Sequence, residues 1–349
     1  MFRLILGTTS LALLLGGTAM ADTVRVANYG GSFGDAMNKI CLEPFNNSGS
    51  GHTAEQVVTD NMLAQLKIQQ DTKNVVWDIA PGAEGEAYIT AKTNGWLETF
   101  DWAALDPDGK LPAVAKPDHG IASSAYSSTL GIRTDKLPQG KEMKSWADFW
   151  NVAEFPGPRS LRNSPVENLE FALMADGVPA KEVYGVLRSE GGVDRAFKKL
   201  GEIKPSIVQW WTSAQQPVQG LASGELSFAT SFNGRIANLK KDNVPVKIMW
   251  DGASLNTSPI TIPAGAPNKE GALAFIKFCY LDPARMVELS RATGTGSLLP
   301  EVVKQFSAEE QADMPTAEQN LAVQLVIDPQ FWYENRAKIQ KRWEEWMLQ

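Results

Sequence analysis

Basic residues are the minority charge in this 349-residue chain: 33 lysines and arginines stand against 40 aspartates and glutamates, a formal charge of −7. Without a basic block it lacks the means to bind nucleic acid or anionic lipid by counterion release. Two cysteines and two histidines leave little material for a metal centre. His52 and His119 stand apart, and there is no H-E-x-x-H, no G-x-S-x-G and no cysteine beside a histidine. A secreted hydrolase working through paired carboxylates is therefore only the second reading. Past the N-terminal segment no unbroken apolar run approaches the ~18 residues of a membrane span. Apolar residues at 43% and charged residues at 21% are an ordinary globular balance, which excludes a disordered chain, a collagen-like fibre and a bare coiled coil. At about 150 residues per domain, the length suggests two domains or one large one.

Met1-Phe2-Arg3 opens the chain with a positive charge, and Leu4 to Gly17 is apolar apart from Thr8, Thr9 and Ser10. Ala19-Met20-Ala21 then supplies small-x-small ahead of Asp22. This pattern predicts a secretory signal peptide over residues 1–21 and a mature chain outside the cytoplasm, in the periplasm. In that oxidising space Cys41 and Cys279 form one disulfide or stay as two buried thiols, and both readings are open.

In the mature chain, strand-like and helix-like stretches alternate. Thr23–Ala27 reads as a strand, Asp35–Phe45 as helix, Met62–Gln70 as helix, Val75–Ala80 as a buried strand and Glu84–Asn94 as helix, with Gly95 ending it. Ile121–Arg133 is long and rich in small residues, which predicts a strand leaving one sheet for another. A second series follows: a helix capped by Ser145, Ser160–Arg162, a helix from Pro165, Ser206–Trp211, Leu226–Ser231 and Val246–Trp250. Pro259–Pro263 reads as the return crossing and Lys269–Tyr280 as the helix after it, with capping at Ser307–Glu310 and at Asp328-Pro329 beyond. The fold class expected is α/β, two doubly wound lobes joined by two crossover strands. One lobe takes residues 22–128 and 258–303, the other 129–257 and 304–349, with a ligand cleft between them.

In such sheets ligands sit beyond the carboxyl ends of strands, at helix N-termini. At the first junction, Tyr29-Gly30-Gly31-Ser32-Phe33, glycines permit close backbone approach between two aromatic walls; a tight turn without ligand explains the same residues. Glu84 follows Pro81-Gly82 and suits the helix dipole before it suits a cationic ligand. Beyond Arg162, Ser164 and Glu167 have the spacing of a capping box with Pro165 at the first helical position, so Glu167 as a counter-charge comes second. Trp210 and Trp211 close a strand ahead of a second such box, Ser213 with Gln216; one ring belongs to the core and the other is free to stack on a ligand. Phe232-Asn233-Gly234-Arg235 offers an aromatic wall and a guanidinium suited to a bidentate carboxylate grip. Asn256, Thr257 and Ser258 add neutral hydrogen-bonding groups before the return crossing.

Several segments together resemble the spermidine/putrescine-type periplasmic solute-binding proteins of ABC importers. They are Ala27-Asn28-Tyr29-Gly30-Gly31, Val75-Val76-Trp77-Asp78-Ile79, Gly224-Glu225-Leu226-Ser227-Phe228 running into Phe232-Asn233-Gly234-Arg235, and Ile262-Pro263 with Asn268-Lys269-Glu270-Gly271-Ala272. The resemblance implies a type II binding fold that closes on its ligand by a hinge. It implies no catalysis, no cofactor and no metal, a monomer, and delivery of a small solute to a membrane permease. It also implies aromatic ligand walls at Tyr29, at Trp210 or Trp211, and at Phe232. Of the family's acidic positions Glu167 is retained, whereas Ser164 and Ser258 stand where relatives carry acids. Arg235 matches an arginine of relatives that bind ω-amino acids. The solute implied is a carboxylated amine or betaine-like molecule, with a polyamine still open.

Overall fold

The computed structural model describes residues 22–59, 61–81 and 85–349. The signal segment 1–21 and Glu84 lie outside the described residues, as does the side chain of Ser32.

The chain opens with β1 (Asp22–Asn28), whose apolar residues Val24 and Val26 alternate inward, and α1 (Gly31–Met37), which runs on through a π turn at Asn38–Leu42. β2 (His52–Val58) pairs with β1 in parallel, Asp22 beside His52 and Asn28 beside Val58. After α2 (Met62–Asp71), the stretch expected as a strand over Val75–Ala80 forms a ladder only at β3 (Ala80–Pro81). A side chain has taken its first N–H groups, and Ile79 makes only a single bridge to Val26 of β1. Gln69 Oε1 accepts from the N–H groups of Val76 and Trp77 at 2.9 and 3.2 Å. The Asp78 carboxylate accepts from the backbone of Arg25 and Asn268 at 2.8 and 2.6 Å. Then comes α3 (Glu86–Thr93).

β4 (Ile121–Arg133) is the long crossing strand the sequence predicts. It leads to α4 (Trp146–Trp150), opened by a full Ser145–Asp148 capping box, and to β5 (Arg159–Arg162). α5 begins only at Asn168 (Asn168–Ala175). β6 (Ile207–Trp211), α6 (Gln215–Ser223), β7 (Phe228–Phe232) and α7 (Asn233–Lys241) follow the expected order. The two strands expected at 246–250 and 259–263 are one continuous strand, β8 (Val246–Thr261). It passes through Gly252 at φ +66°, a conformation glycine tolerates, where the Trp146 ring packs so closely that a Cβ would meet it at 2.8 Å. α8 (Lys269–Tyr280), α9 (Pro283–Thr293), β9 (Gly296–Ser297), β10 (Leu325–Val326) and α10 (Pro329–Met347) complete the chain, with α10 capped by Asp328 as expected.

The main sheet runs β10-β8-β4-β7-β5-β6, with β3 against β8 and β9 against β4. β7, β5 and β6 are mutually parallel, whereas β4 runs antiparallel to both β7 and β8. The two crossing strands serve two sets of cores. Ala122, Ala125, Leu255 and Ile260 pack into one with Val24, Phe45 and Phe275. Leu130 and Met249 pack with Trp146, Phe149 and Phe228 in the other direction. Beyond β9, Phe306, Met314 and Ala317 still belong to the first set, while Leu325, Phe331, Trp332 and Trp343 belong to the second. Cys41 and Cys279 are bridged, Cα atoms 5.4 Å apart, which joins the helical stretch after α1 to α8 inside the first core.

Candidate functional site

β5, β6 and β7 are parallel, so their carboxyl ends share one edge of the sheet, and their last residues are Arg162, Trp211 and Phe232. The antiparallel crossing strands reach the same edge: Ser128 is in register with Phe232 on one side and with Ser254 on the other, and Tyr126 with Asn256. Alternation places Tyr126, Ser128, Ser254 and Asn256 on one face of the crossing.

Rings form a corner there. Phe232 meets Tyr126 edge-on at 5.5 Å and Trp211 edge-on at 6.1 Å. The Trp211 indole N–H donates to Thr230 Oγ1 at 3.0 Å, which fixes the ring. The Arg162 guanidinium lies 5.4 Å from the Trp211 ring centre and 6.0 Å from that of Phe232, both within cation–π range. Its Nη1 is 3.7 Å from the Glu167 carboxylate.

Glu167 does not sit in a capping box, which corrects the expectation for Ser164 and Glu167. The Ser164 hydroxyl accepts instead from Val166 N–H at 3.2 Å. Asn168 Nδ2 donates to the carbonyls of Arg162 and Ser164, both at 2.7 Å, and so fastens the turn. Glu167 is left at φ +75°, a left-handed backbone conformation that costs a non-glycine residue about 1 kcal/mol. The distortion turns its side chain inward, where it is only 4% exposed. Asn256 Nδ2 donates to it at 3.5 Å. Burial pushes the Glu167 carboxyl up from the ordinary range, opposed first by the Arg162 charge and then by the Ser128 hydroxyl, Asn256 and Arg162 as hydrogen-bond partners.

The structure thus brings together Arg162, Glu167, Trp211, Phe232 and Asn256. The tryptophan pair divides: Trp211, only 2% exposed, turns toward Arg162 and Phe232, whereas the partly buried Trp210 packs edge-on against Trp343 and Trp346, at 5.5 and 5.8 Å, on the edge of the second set of cores. Of the second expected capping box only half is present, with Gln216 Oε1 accepting from Thr212 and Ser213 N–H at 2.9 and 3.0 Å. Arg235 lies exposed in the first turn of α7, its guanidinium donating to Gln215 Oε1 at 3.3 Å. Ser258 is in register with Ser124 further along the crossing.

The first-junction residues occupy the carboxyl ends of β1 and β2. The Gly30 N–H donates to Asn28 Oδ1 at 2.7 Å, and Gly30 has φ +66° with Val58 so near that a Cβ would stand 2.9 Å from it. Gly31 starts α1, Tyr29 is 53% exposed, and Phe33 packs on the edge of the first core. Tyr126 and Ser128 belong to the same corner but read in the sequence only as crossing strand; a lone aromatic among small residues in Ile121–Arg133 is the available signal. Among the described residues no cluster of histidine, cysteine, aspartate and glutamate could hold a metal ion, and no helix is long and apolar enough to cross a membrane.

The model of the bacterial extracellular solute-binding protein family matches residues 43–316, which include both crossing strands and the whole corner. The chain belongs to that family. It is 33% identical over 343 residues to the gamma-aminobutyric acid-binding protein of Pseudomonas aeruginosa, covering 96% of this chain and 94% of the relative. The binding protein AttC of Agrobacterium tumefaciens C58, solved open and unliganded, matches with a TM-score of 0.81 at 28% identity over 93% of this chain and 99% of that one. An ABC transporter substrate-binding protein from Bradyrhizobium japonicum USDA 110 matches at 0.79 and 29%, with the same coverages. Its α/β architecture with two crossing strands is therefore the two-lobed solute-binding fold, and the chain is a substrate-binding component of the ABC-transporter kind.

Proposed function

We propose that this chain is the periplasmic capture subunit of an ABC importer, taking up a small solute that carries an amine and a carboxylate and handing it unchanged to a membrane permease. The single observation that carries this reading is the Arg162 guanidinium, which meets both the buried Glu167 carboxylate and the rings of Trp211 and Phe232 beside the crossing strands. The acid and the flat rings hold the Arg162 guanidinium, whose open edge recognises an organic anion, and the solute's amine falls to groups beyond the corner. The gamma-aminobutyric acid bound by the P. aeruginosa relative carries both groups.

In this reading residues 1–21 are a cleaved signal, the mature chain is a monomer, and the two sets of cores are lobes. One lobe takes residues 22–128 and 258–303; because Phe306, Met314 and Ala317 pack in its core, we extend it to about residue 320. The other takes 129–257 and the chain from Leu325 onward. Tyr29 to Phe33 and Glu84 then furnish the opposing rim of the cleft, with Arg235, Ser164, Asn256 and Ser258 beside the corner. The mature protein should be titrated by calorimetry with 4-aminobutyrate, glycine betaine, putrescine and spermidine. Saturable binding of an amino acid, with the melting temperature raised by mass action and the solute recovered intact, is the expected result. No heat and no thermal shift with any of them would refute it, and a chemically altered solute would favour the hydrolase.

A further inference from the structure

A buried carboxylate and aromatic rings that reach the same point make a receptacle for a cation. Here the cation at hand is the protein's own Arg162, 3.7 Å from Glu167 and within 6.0 Å of both the Trp211 and Phe232 ring centres. Resting on the reading of this corner as the solute site, we infer that Arg162 sets the charge class of the solute: it fills the cation receptacle and presents its outward edge to a carboxylate, which excludes a simple diamine.

Three features support the assignment. The first is an asymmetry of burial: the Arg162 side chain is 40% exposed, whereas that of Glu167 is 5% exposed, so the guanidinium lies between the acid and the open side. The second is donor count. A guanidinium has five N–H donors in a planar fork, and the ion pair with Glu167 engages only one side of it, leaving the remainder for a second, bidentate acceptor. The third is positioning. Arg162 is the last residue of β5, and its carbonyl is gripped by Asn168 at 2.7 Å, so the stem leaves a fixed backbone rather than a loose loop. An ammonium group entering this corner would have to expel Arg162 from both its carboxylate and its rings. A carboxylate meets the guanidinium without disturbing either, and the solute's amine then falls to groups outside the corner.

The test compares 4-aminobutyrate, its carboxamide and butane-1,4-diamine by calorimetry on the wild type and on Arg162→Met. The wild type is expected to bind the acid at least 100-fold more tightly than the amide or the diamine. Arg162→Met is expected to lose at least 100-fold for the acid and to gain at least 10-fold for the diamine, because Glu167 and the rings are then vacant for its ammonium. The amide comparison needs no variant, so it decides the matter even if Arg162→Met does not fold. Equal binding of acid and amide by the wild type, or undiminished binding of the acid by Arg162→Met, overturns the role of Arg162 while leaving solute capture intact. A wild type that binds none of the three, nor betaine nor spermidine, overturns both.

Discussion

Breaking the Cys41–Cys279 bond should weaken the fold greatly and leave solute binding nearly untouched. The bridge closes a loop of 238 residues, which holds β2, both crossing strands and the second set of cores apart from its residues from Leu325 onward. The chain-entropy relation for a loop of that size gives about 5.5 kcal/mol at 25 °C, a large share of the roughly 5–15 kcal/mol that holds a typical protein folded. Both sulfurs are fully buried, so a reductant should act on the unfolded chain and barely on the native one. The assay is urea unfolding followed by tryptophan fluorescence, with and without prior reduction, beside a thiol count in denaturant. No free thiol should appear before reduction and two after it. Reduction should lower the midpoint and steepen the denaturant dependence, because an uncrosslinked chain exposes more surface when it unfolds. The folded reduced protein should keep its solute affinity, since neither cysteine contacts the corner of Arg162 and Glu167. Two free thiols in unreduced protein, or an unchanged midpoint on reduction, would refute the reasoning.

The two adjacent tryptophans should differ in their effect on affinity. Trp211→Leu removes the ring beside Arg162, so solute affinity should fall roughly 10- to 100-fold, the loss of about 1–3 kcal/mol expected when a desolvated cation–π wall goes, with stability falling too because the ring is buried; Trp210→Ala should cost about 1–3 kcal/mol of stability through its contacts with Trp343 and Trp346, with affinity unchanged. Calorimetry with thermal melts reads both, and the reverse pattern would mean the wrong ring has been assigned. Stability should also depend on pH through Glu170, one turn along α5 from Glu167. Burial pushes its carboxyl up to about 7, against the hydrogen bonds that Tyr184 and Trp332 donate to it. A raised carboxyl favours the protonated folded state, so this contribution is fully present below about pH 4.5 and is lost as pH rises through 7, by on the order of 3 kcal/mol. Glu170→Gln should flatten that fall; a variant that keeps the wild-type slope excludes Glu170 as its source.

Local chemistry made the ends of β5, β6 and β7 readable: each closes on a turn or a helix start, and a parallel sheet puts such ends on one edge. That is why Arg162, Phe232 and the Trp210–Trp211 pair, though not which ring of it, are legible in the sequence. Glu167 was misread because its sequence satisfies a local rule, Ser-x-x-Glu behind a helix start, while the fold uses tertiary partners, Arg162 and Asn256, to pull it inward at a strained φ. The same kind of competition shortened the strand expected at Val75–Ala80, whose N–H groups the Gln69 side chain intercepts. The strands expected at Val246–Trp250 and Pro259–Pro263 join through a kink at Gly252 inside β8, made tolerable by pairing with β4 on both sides of it. Tyr126 and Ser128 were invisible as site residues because only register with Asn256 and Ser254 shows which face of β4 they occupy.

The position of the site follows from the crossing itself. Ala122 and Ala125 of β4 are covered by one core and Leu130 by another, and the residues between them, Tyr126 to Thr129, join neither. A strand face between two cores must be polar or be covered by something from outside, and here it carries hydroxyls, an amide and the buried acid. The ties between the two sets of cores beside this gap are weak. Glu86 of α3 and Arg336 of α10 pair at 2.8 Å, and Lys240 of α7 pairs with Asp313 at 3.0 Å, with each pair partly open to solvent. Such pairs contribute at most about 1 kcal/mol each. A solute with a micromolar dissociation constant would contribute about 8 kcal/mol at the standard state, which exceeds both together, so in the proposed reading a solute held between Arg162 and the opposing rim outweighs these two ion pairs.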